Sequence, residues 1–265
     1  MRLLERGPDG GFRLTKDFVR GHIPPYAILS HTWGPDSEEV TFQDLTNGTG
    51  EDKAGYEKIR FCAAQAQRHG FRCFWIDTCC INKENNAELA EAINSMFRWY
   101  QDAVRCYVFL SDVPGPSRWR GDLPPSQSWE PAFRGSRWFT RGWTLQELLA
   151  PKEVQFFAQD GALLGDKISL HQLIHEITDI TVPALRGDPL TLFEIEERFR
   201  WAENRQTTRE EDWAYSLLGI FGVFISPIYG EGKDNAVRRL RKEIRDKLDN
   251  EGRCSYFTDR CILCV

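Results

Sequence analysis

The sequence predicts an α/β fold: a parallel sheet flanked by helices, with a helical extension behind it. Three observations carry that prediction. Short apolar runs alternate with segments of helical period from Tyr26 to Ala158, an alternation that builds parallel sheets with helices on their faces. One of those runs, Phe71 to Asp77, is apolar at almost every position, as a strand covered on both faces is. After Gly161 the strand pattern stops and helical periods take over.

The elements follow in order. Residues 1 to 25 read as a lead-in, and Pro24-Pro25 delivers the chain in extended form. Tyr26 to His31 is the first strand, turned by Gly34-Pro35-Asp36. A Gly/Thr-rich loop spans Asn47 to Asp52. Tyr56, Ile59, Cys62, Ala63 and Ala66 fall at three- and four-residue steps, so Tyr56 to His69 is a helix, stopped by Gly70. Phe71 to Asp77 is the second strand and Thr78 to Asn86 a loop. Ala87 to Ala103 is the second helix, with Leu89, Ile93, Met96, Phe97 and Tyr100 along one stripe. Arg105 to Leu110 is the third strand, ending at Ser111-Asp112. Val113 to Gly135 carries five prolines and reads as a long irregular insert. Ser136 to Leu149 is the third helix and Glu153 to Ala158 the fourth strand. Leu170–Thr178, Leu192–Asn204, Glu210–Leu218 and Asn235–Leu248 are further helices. The α/β core is therefore bounded at residues 1–165 and the helical extension at 166–248. Residues 249–265, with Cys254, Cys261 and Cys264, fit no pattern and read as a tail where a longer chain was cut.

Composition narrows the function. A chain of 265 residues forms one large domain or a domain with an appended subdomain. A net charge of −5 argues against general nucleic-acid binding, which favours basic faces. The basic run from Arg238 to Lys247 alternates with acids, as a solvated helix face does. The first residues lack the apolar stretch of a signal peptide, and the longest apolar run, Leu217 to Ile225, is too short to span a bilayer, so no membrane anchor is expected. The eight cysteines include the adjacent Cys79-Cys80 and resemble no secreted framework, which points to reduced thiols and a cytoplasmic location. Cys261-x-x-Cys264 lacks a second ligand pair, so no metal and no cofactor are expected. Ile262, not cysteine, opens the last four residues, which excludes prenylation.

One stretch stands apart, Ser136 to Leu149. It holds Trp138, Trp143, Arg137, Arg141 and Glu147 close together, with Trp143 and Glu147 at the spacing that shares a helix face. Its part Arg141-Gly142-Trp143-Thr144-Leu145-Gln146-Glu147-Leu148-Leu149, with Ala27 to Gly34 and Trp75 to Asn82, resembles the three signature blocks of the fungal heterokaryon-incompatibility (HET) domain. Arg205 to Asp212, Tyr215 to Phe221 and Tyr229 to Gly232 are similar to the segment that commonly follows. The resemblance covers roughly residues 1 to 248, several long motifs in the right order. It is strongest to the version found at the N-terminus of NLR-like incompatibility proteins. It implies a role in the cell death that follows fusion of genetically different fungal cells. It also implies self-association, driven by the NTP-binding and repeat modules of a full-length protein. No Walker-type G-x-x-x-x-G-K-[ST] motif occurs in this chain.

The HET domain is in turn similar to the Toll/interleukin-1 receptor (TIR) fold, which implies a flavodoxin-like sheet of order 2-1-3-4-5. Phe139 to Leu149 resembles the plant TIR helix containing W-C-L-x-E-L, with Thr144 where plant domains have Cys. Many TIR domains cleave NAD with the glutamate of that helix. Carried over, the catalytic residue is Glu147 and NAD is the substrate, although shared fold does not entail shared activity. Breaking the nicotinamide–ribose bond creates an oxocarbenium-like sugar that a nearby carboxylate stabilises. Trp33 or Trp143 would stack on a ring and Arg141 would meet a phosphate. The switch point between the first and third strands would expose Ser30, His31 and Trp33 on one side and Ser111-Asp112 on the other, with Asp77 on the neighbouring strand end.

Plainer readings stand beside these. Thr144-Leu145-Gln146-Glu147 has the form of a capping box, with Trp143 and Leu148 as its staple. His31 and Asp77 can be strand-end residues, Arg141 a partner of Glu147, and Trp33 and Trp75 core. Two functions from different classes remain open: a TIR-like NAD glycohydrolase, and a non-enzymatic module that self-associates and recruits a death-executing partner. They differ in where Glu147 points, into a site with an aromatic and a cation, or back at its own helix terminus or an interface.

Overall fold

A computed structural model of the chain describes residues 1–8, 10–18, 23–115, 125–250 and 252. The middle of the expected insert and nearly all of the expected tail, with Cys254, Cys261 and Cys264, lie outside the described residues.

The fold is α/β, with one seven-stranded sheet flanked by helices. Its strands are β1 (Leu4–Arg6), β2 (Phe12–Leu14), β3 (Tyr26–His31), β4 (Cys73–Trp75), β5 (Arg105–Phe109), β6 (Val154–Phe157) and β7 (Leu163–Asp166), in the order β2-β1-β4-β3-β5-β6-β7. The four inner strands β4, β3, β5 and β6 pair in parallel. Counted from the first strand of the sequence reading, their order is 2-1-3-4. All six residues of β3 are buried, because helices cover both faces.

Three strands lie outside the sequence expectation. The lead-in is a hairpin, β1 and β2, that adds β1 antiparallel to β4, with Leu4 opposite Phe74. Leu3 and Leu4 are fully buried there, and Phe12 meets Phe74 edge-on at 5.8 Å. At the other edge the expected fifth parallel strand is replaced by β7, which returns antiparallel on β6. Three- and four-residue strands with partly exposed edges carry too little alternation to be seen as a run.

The helices are α1 (Phe42–Asn47), α2 (Tyr56–Arg68), α3 (Asp77–Cys80), α4 (Asn86–Asp102), α5 (Pro125–Arg134), α6 (Thr144–Leu149), α7 (His171–Thr178), α8 (Val182–Leu185), α9 (Ile195–Glu203), α10 (Asp212–Tyr215), α11 (Leu218–Phe221) and α12 (Lys233–Asn250). Right-handed crossovers running in opposite directions from β3 and β4 put α2 and α4 on opposite faces. Asn85 starts α4 by accepting from the amides of Ala87 and Glu88 at 3.1 and 3.2 Å. The stripe of α4 then buries Ala92, Ile93, Met96, Trp99 and Tyr100.

Three expectations need correction. The stretch from Ser136 to Leu149 is not one helix: a 3-10 turn, Arg137–Thr140, and the short α6 are separated by Arg141 to Trp143. Asp77 does not end a strand. It opens α3 inside the expected loop, since β4 stops at Trp75 and Ile76 is the extended residue before the helix. The expected helix Glu210–Leu218 is two short helices, α10 and α11.

The extension shares one continuous hydrophobic cluster with the sheet. A Cβ on Gly219 would lie 2.0 Å from Cβ of Phe97, so α11 rests its backbone directly on α4. That contact holds the extension over the helix that contributes Tyr100 to the site described next.

Candidate functional site at the carboxyl ends of the parallel strands

In the order 2-1-3-4 the connections leaving β3 and β5 part in opposite directions, and beyond the carboxyl ends at such a switch point is where open α/β sheets take ligands into a crevice. β3 ends in Ser30 and His31, paired with Val108 and Phe109 of β5. The chain then turns through Thr32 and Trp33. Lys58 donates to the carbonyl of Thr32 at 3.1 Å, and the amide of Gly34 donates to Oε1 of Glu39 at 2.6 Å. Two side chains from distant segments therefore fix the loop that carries Trp33.

Asp77 is the hub of the outer part. Its Oδ1 lies 3.1 Å from Nε2 of His31, and its Oδ2 accepts the indole N–H of Trp33 at 2.8 Å. Lys83 holds its Nζ 3.7 Å from the centroid of the Trp33 ring, and Trp33 is 43 % exposed. Burial pushes the Asp77 carboxyl up, but the Lys83 charge and the bonds from His31 and Trp33 outweigh it and hold the group down at about 2. Asp77 is thus an anion at any physiological pH.

Glu147 is the hub of the inner part. It is 6 % exposed and accepts from the hydroxyl of Ser30, which in turn accepts the indole N–H of Trp138 at 2.8 Å. The Tyr100 hydroxyl, which donates to the Leu29 carbonyl at 2.8 Å, lies beside it. Burial, with the negative charge of Asp77 added, pushes Glu147 up to about 8, while Ser30, Tyr100 and the charge of Arg205 pull the other way. The two carboxyls are therefore split, one ionised and one carrying a proton at neutral pH, a division that recurs where acid and base roles are shared.

Glu147 does not complete a capping box. Trp143, the residue before α6, is already helical and accepts nothing through its side chain. The hydroxyl of Thr144 faces the carbonyls of Trp138 and Arg141 at 2.6 and 2.9 Å and accepts from Nη1 of Arg205 at 2.9 Å. With the amide ends served by main chain and the Thr144 hydroxyl occupied, the Glu147 side chain turns inward to β3. At the other end of α6, the buried Lys167 donates to the carbonyls of Leu148 and Pro151 at 3.1 and 2.7 Å.

The fold thus brings together Glu147, Ser30, His31, Trp33 and Asp77. It sends Arg141 and Trp143 elsewhere: Arg141 donates to Oγ1 of Thr208 at 3.0 Å, and the Trp143 indole faces Asp212, whose carboxyl it helps to draw down against burial. Both tie the α6 segment to the extension. Asp112, expected across the switch point, accepts from Ser136 Oγ and the Arg137 amide at 2.8 Å each and anchors the 3-10 turn. Trp75 is fully buried, and Trp33 is not core.

Four residues around the site went unread in the sequence. Trp138 was in view, but the i, i+4 argument favoured Trp143. Tyr100 looked like one more member of the α4 stripe. Lys83 sat in a polar loop. Arg205 opened a recognised motif with no partner assigned, and it proves to be 5 % exposed with Nη2 unpartnered among the described residues. A cavity of about 260 Å³ lies at the far side of the molecule, lined by Arg6, Gln67, Phe71 and Arg72 among others, and does not include Glu147. No helix among the described residues is long and apolar enough to cross a membrane.

Comparison with known proteins gives two matches. A family model described as heterokaryon incompatibility protein (HET) matches residues 26–117, the segment from β3 through β5 that carries Ser30, His31, Trp33, Asp77 and Tyr100. Vegetative incompatibility protein HET-E-1 of Podospora anserina is 57% identical over 244 residues, 92% of this chain and 18% of that protein. The chain thus spans less than a fifth of the length of the curated relative it matches. No solved structure matches.

Proposed function

The chain belongs to the heterokaryon-incompatibility family, and from that premise we propose that it is the cell-death effector domain of a vegetative incompatibility protein, which cleaves NAD at the nicotinamide–ribose bond with Glu147 as the catalytic carboxylate. The observation that carries this reading is the pair of carboxyls, Glu147 and Asp77, gathered with Ser30, His31 and Trp33 at the switch point of a parallel sheet. The reaction consumes water: NAD and water give nicotinamide, ADP-ribose and a proton. Nicotinamide leaves as a neutral ring and needs no acid. The demand falls on the positive charge that develops on the ribose, which a fixed carboxylate in a water-poor setting stabilises.

Burial supplies the control. Enclosed, Glu147 keeps its proton and has no access to substrate. When self-association opens α6 toward the crevice, hydration lowers the pKa of Glu147 and frees the anion. An always-active killer could not be stored, so activity is tied to assembly. The much greater length of the relative supports an assembly signal from attached NTP-binding and repeat modules. The site of action is the cytoplasm, where NAD is available.

Artificially oligomerised domain incubated with NAD should release nicotinamide, and Glu147→Gln should abolish release while the fold survives. No release in any assembled state, with Glu147→Gln still toxic in cells, would sink the enzymatic reading. One observation favours the other class: Glu147 is enclosed by Ser30, Tyr100 and the Trp138 chain in this conformation. In that reading the domain recruits a death-executing partner, and Glu147 only locks α6 to β3.

A further inference from the structure

Beside the outer cluster stands a lysine, Lys83, on the ring of Trp33. Among the described residues Lys83 makes no salt bridge, although Asp77, Glu39 and Asp36 act on it through charge at longer range. Burial draws the Lys83 ammonium down from its ordinary value, and the Asp77 charge works against that. Nζ is held 3.7 Å from the centroid of the Trp33 ring. A cation so placed gains attraction from the ring face and leaves its N–H groups without a direct ion pair.

The two loops that carry this pair are pinned. The Trp33 loop is held by Lys58 and Glu39. The Lys83 loop is held by the Asn82 amide donating to Glu88 at 2.9 Å, and by Gln43 and the Glu84 amide donating to Oδ1 of Asn82, each at 3.2 Å. The indole N–H is fixed on Asp77, so the ring cannot spin. One face lies under Lys83, and Trp33 as a residue is 43 % exposed. A fixed, partly exposed indole beside an ammonium with no direct ion pair is matched by a ligand that has a flat ring and a phosphate a few atoms apart.

We infer that Lys83 is the phosphate-binding residue of this site, and that with Trp33 it forms a preformed edge for a nucleotide at the mouth of the crevice. The inference names the substrate class of the site proposed above and rests on that reading. It moves the phosphate contact from Arg141, which is engaged with Thr208, to Lys83. Asp77 serves the edge from behind, orienting Trp33 and keeping Lys83 charged.

Calorimetric titration of the intact chain with ADP-ribose, adenosine and ribose 5-phosphate tests this without turnover. ADP-ribose should bind, with an affinity that falls as salt rises. Lys83→Gln should weaken ADP-ribose and ribose 5-phosphate by roughly tenfold and leave adenosine unchanged, while Lys83→Arg restores most of the loss. Trp33→Ala should weaken ADP-ribose and adenosine alike. Circular dichroism confirms that each variant is folded. Absence of ADP-ribose binding by the wild-type chain overturns the inference, as does equal binding by Lys83→Gln. Loss of adenosine binding together with ADP-ribose in Lys83→Gln also overturns it, because Lys83 would then act only by holding the ring. The two readings fail separately. Phosphate-dependent binding without nicotinamide release removes the glycohydrolase and keeps the nucleotide edge. Nicotinamide release with an unchanged KM in Lys83→Gln keeps the glycohydrolase and removes Lys83.

Discussion

Glu147 is costly to bury, and its neighbours show how that cost is met. It keeps a proton, so the interior holds a neutral acid beside Ser30 and Tyr100. A folded-state value raised from 4.5 to about 8 means that the stabilisation is fully present below 4.5 and is lost as pH rises through 8. Wild-type stability should therefore decline across that window while Glu147→Gln stays flat, the two diverging by about 3–5 kcal/mol at the alkaline end. Chemical denaturation at several pH values measures it. Asp77 has the opposite sign. Its value is held down from 3.8 to about 2, so its contribution is present above 3.8 and lost as pH falls through 2, a decline that Asp77→Asn should remove. Ser30 bridges the buried ring of Trp138 to Glu147. Ser30→Ala leaves the Trp138 N–H without its acceptor and should cost about 1–3 kcal/mol, read as a fall in denaturation midpoint with the cooperativity kept.

At the scale of elements, α6 is too short to hold its own geometry. Six residues make few internal bonds, and isolated helices of that length do not persist in water. Two buried cations clamp it: Arg205 at Thr144 and the Arg141 carbonyl, and Lys167 at the Leu148 and Pro151 carbonyls. Arg205→Met removes the first clamp and should destabilise the fold by about 2–4 kcal/mol, with the loss in thermal stability appearing together with loss of the Glu147 titration. Gly219→Ala drives a methyl group into Phe97 and should cost about 1–3 kcal/mol by separating α11 from α4. The sequence showed α2, α4 and α12 well, because each presents a long apolar stripe. It hid α6 and the 3-10 turn inside one supposed helix, since a single glycine, Gly142, is too weak a breaking signal to end a helix by itself. The break comes from Gln206, whose carbonyl takes the Gly142 amide at 2.9 Å and whose amide bonds the Thr140 carbonyl at 2.6 Å. A contact over sixty residues away in sequence leaves no local trace.

For the whole molecule, the four parallel strands are legible because each is a buried apolar run separated by a helix, whereas their order is implied only by the resemblance to the TIR fold. The two antiparallel edges were not, because they are short and half-solvated. The same contrast holds at the site. Ser30, His31, Trp33 and Asp77 follow strand ends, so the topology itself gathers them. Arg141 and Trp143 sit beside Glu147 in sequence, yet the break before α6 turns them to Thr208 and Asp212. Adjacency along the chain misled where topology did not. The extension then acts as a brace: Arg205, Thr208 and Asp212 all grip the α6 segment, so a force applied through the extension reaches Glu147. That arrangement is the route by which the proposed assembly signal would reach the carboxylate. The most direct measurement is cellular NAD in the first hours after induced oligomerisation of the domain, before viability falls. The account predicts that NAD collapses with the wild-type domain and holds steady with Glu147→Gln at equal expression. Cell death with NAD unchanged, or an NAD collapse that Glu147→Gln reproduces, would contradict it.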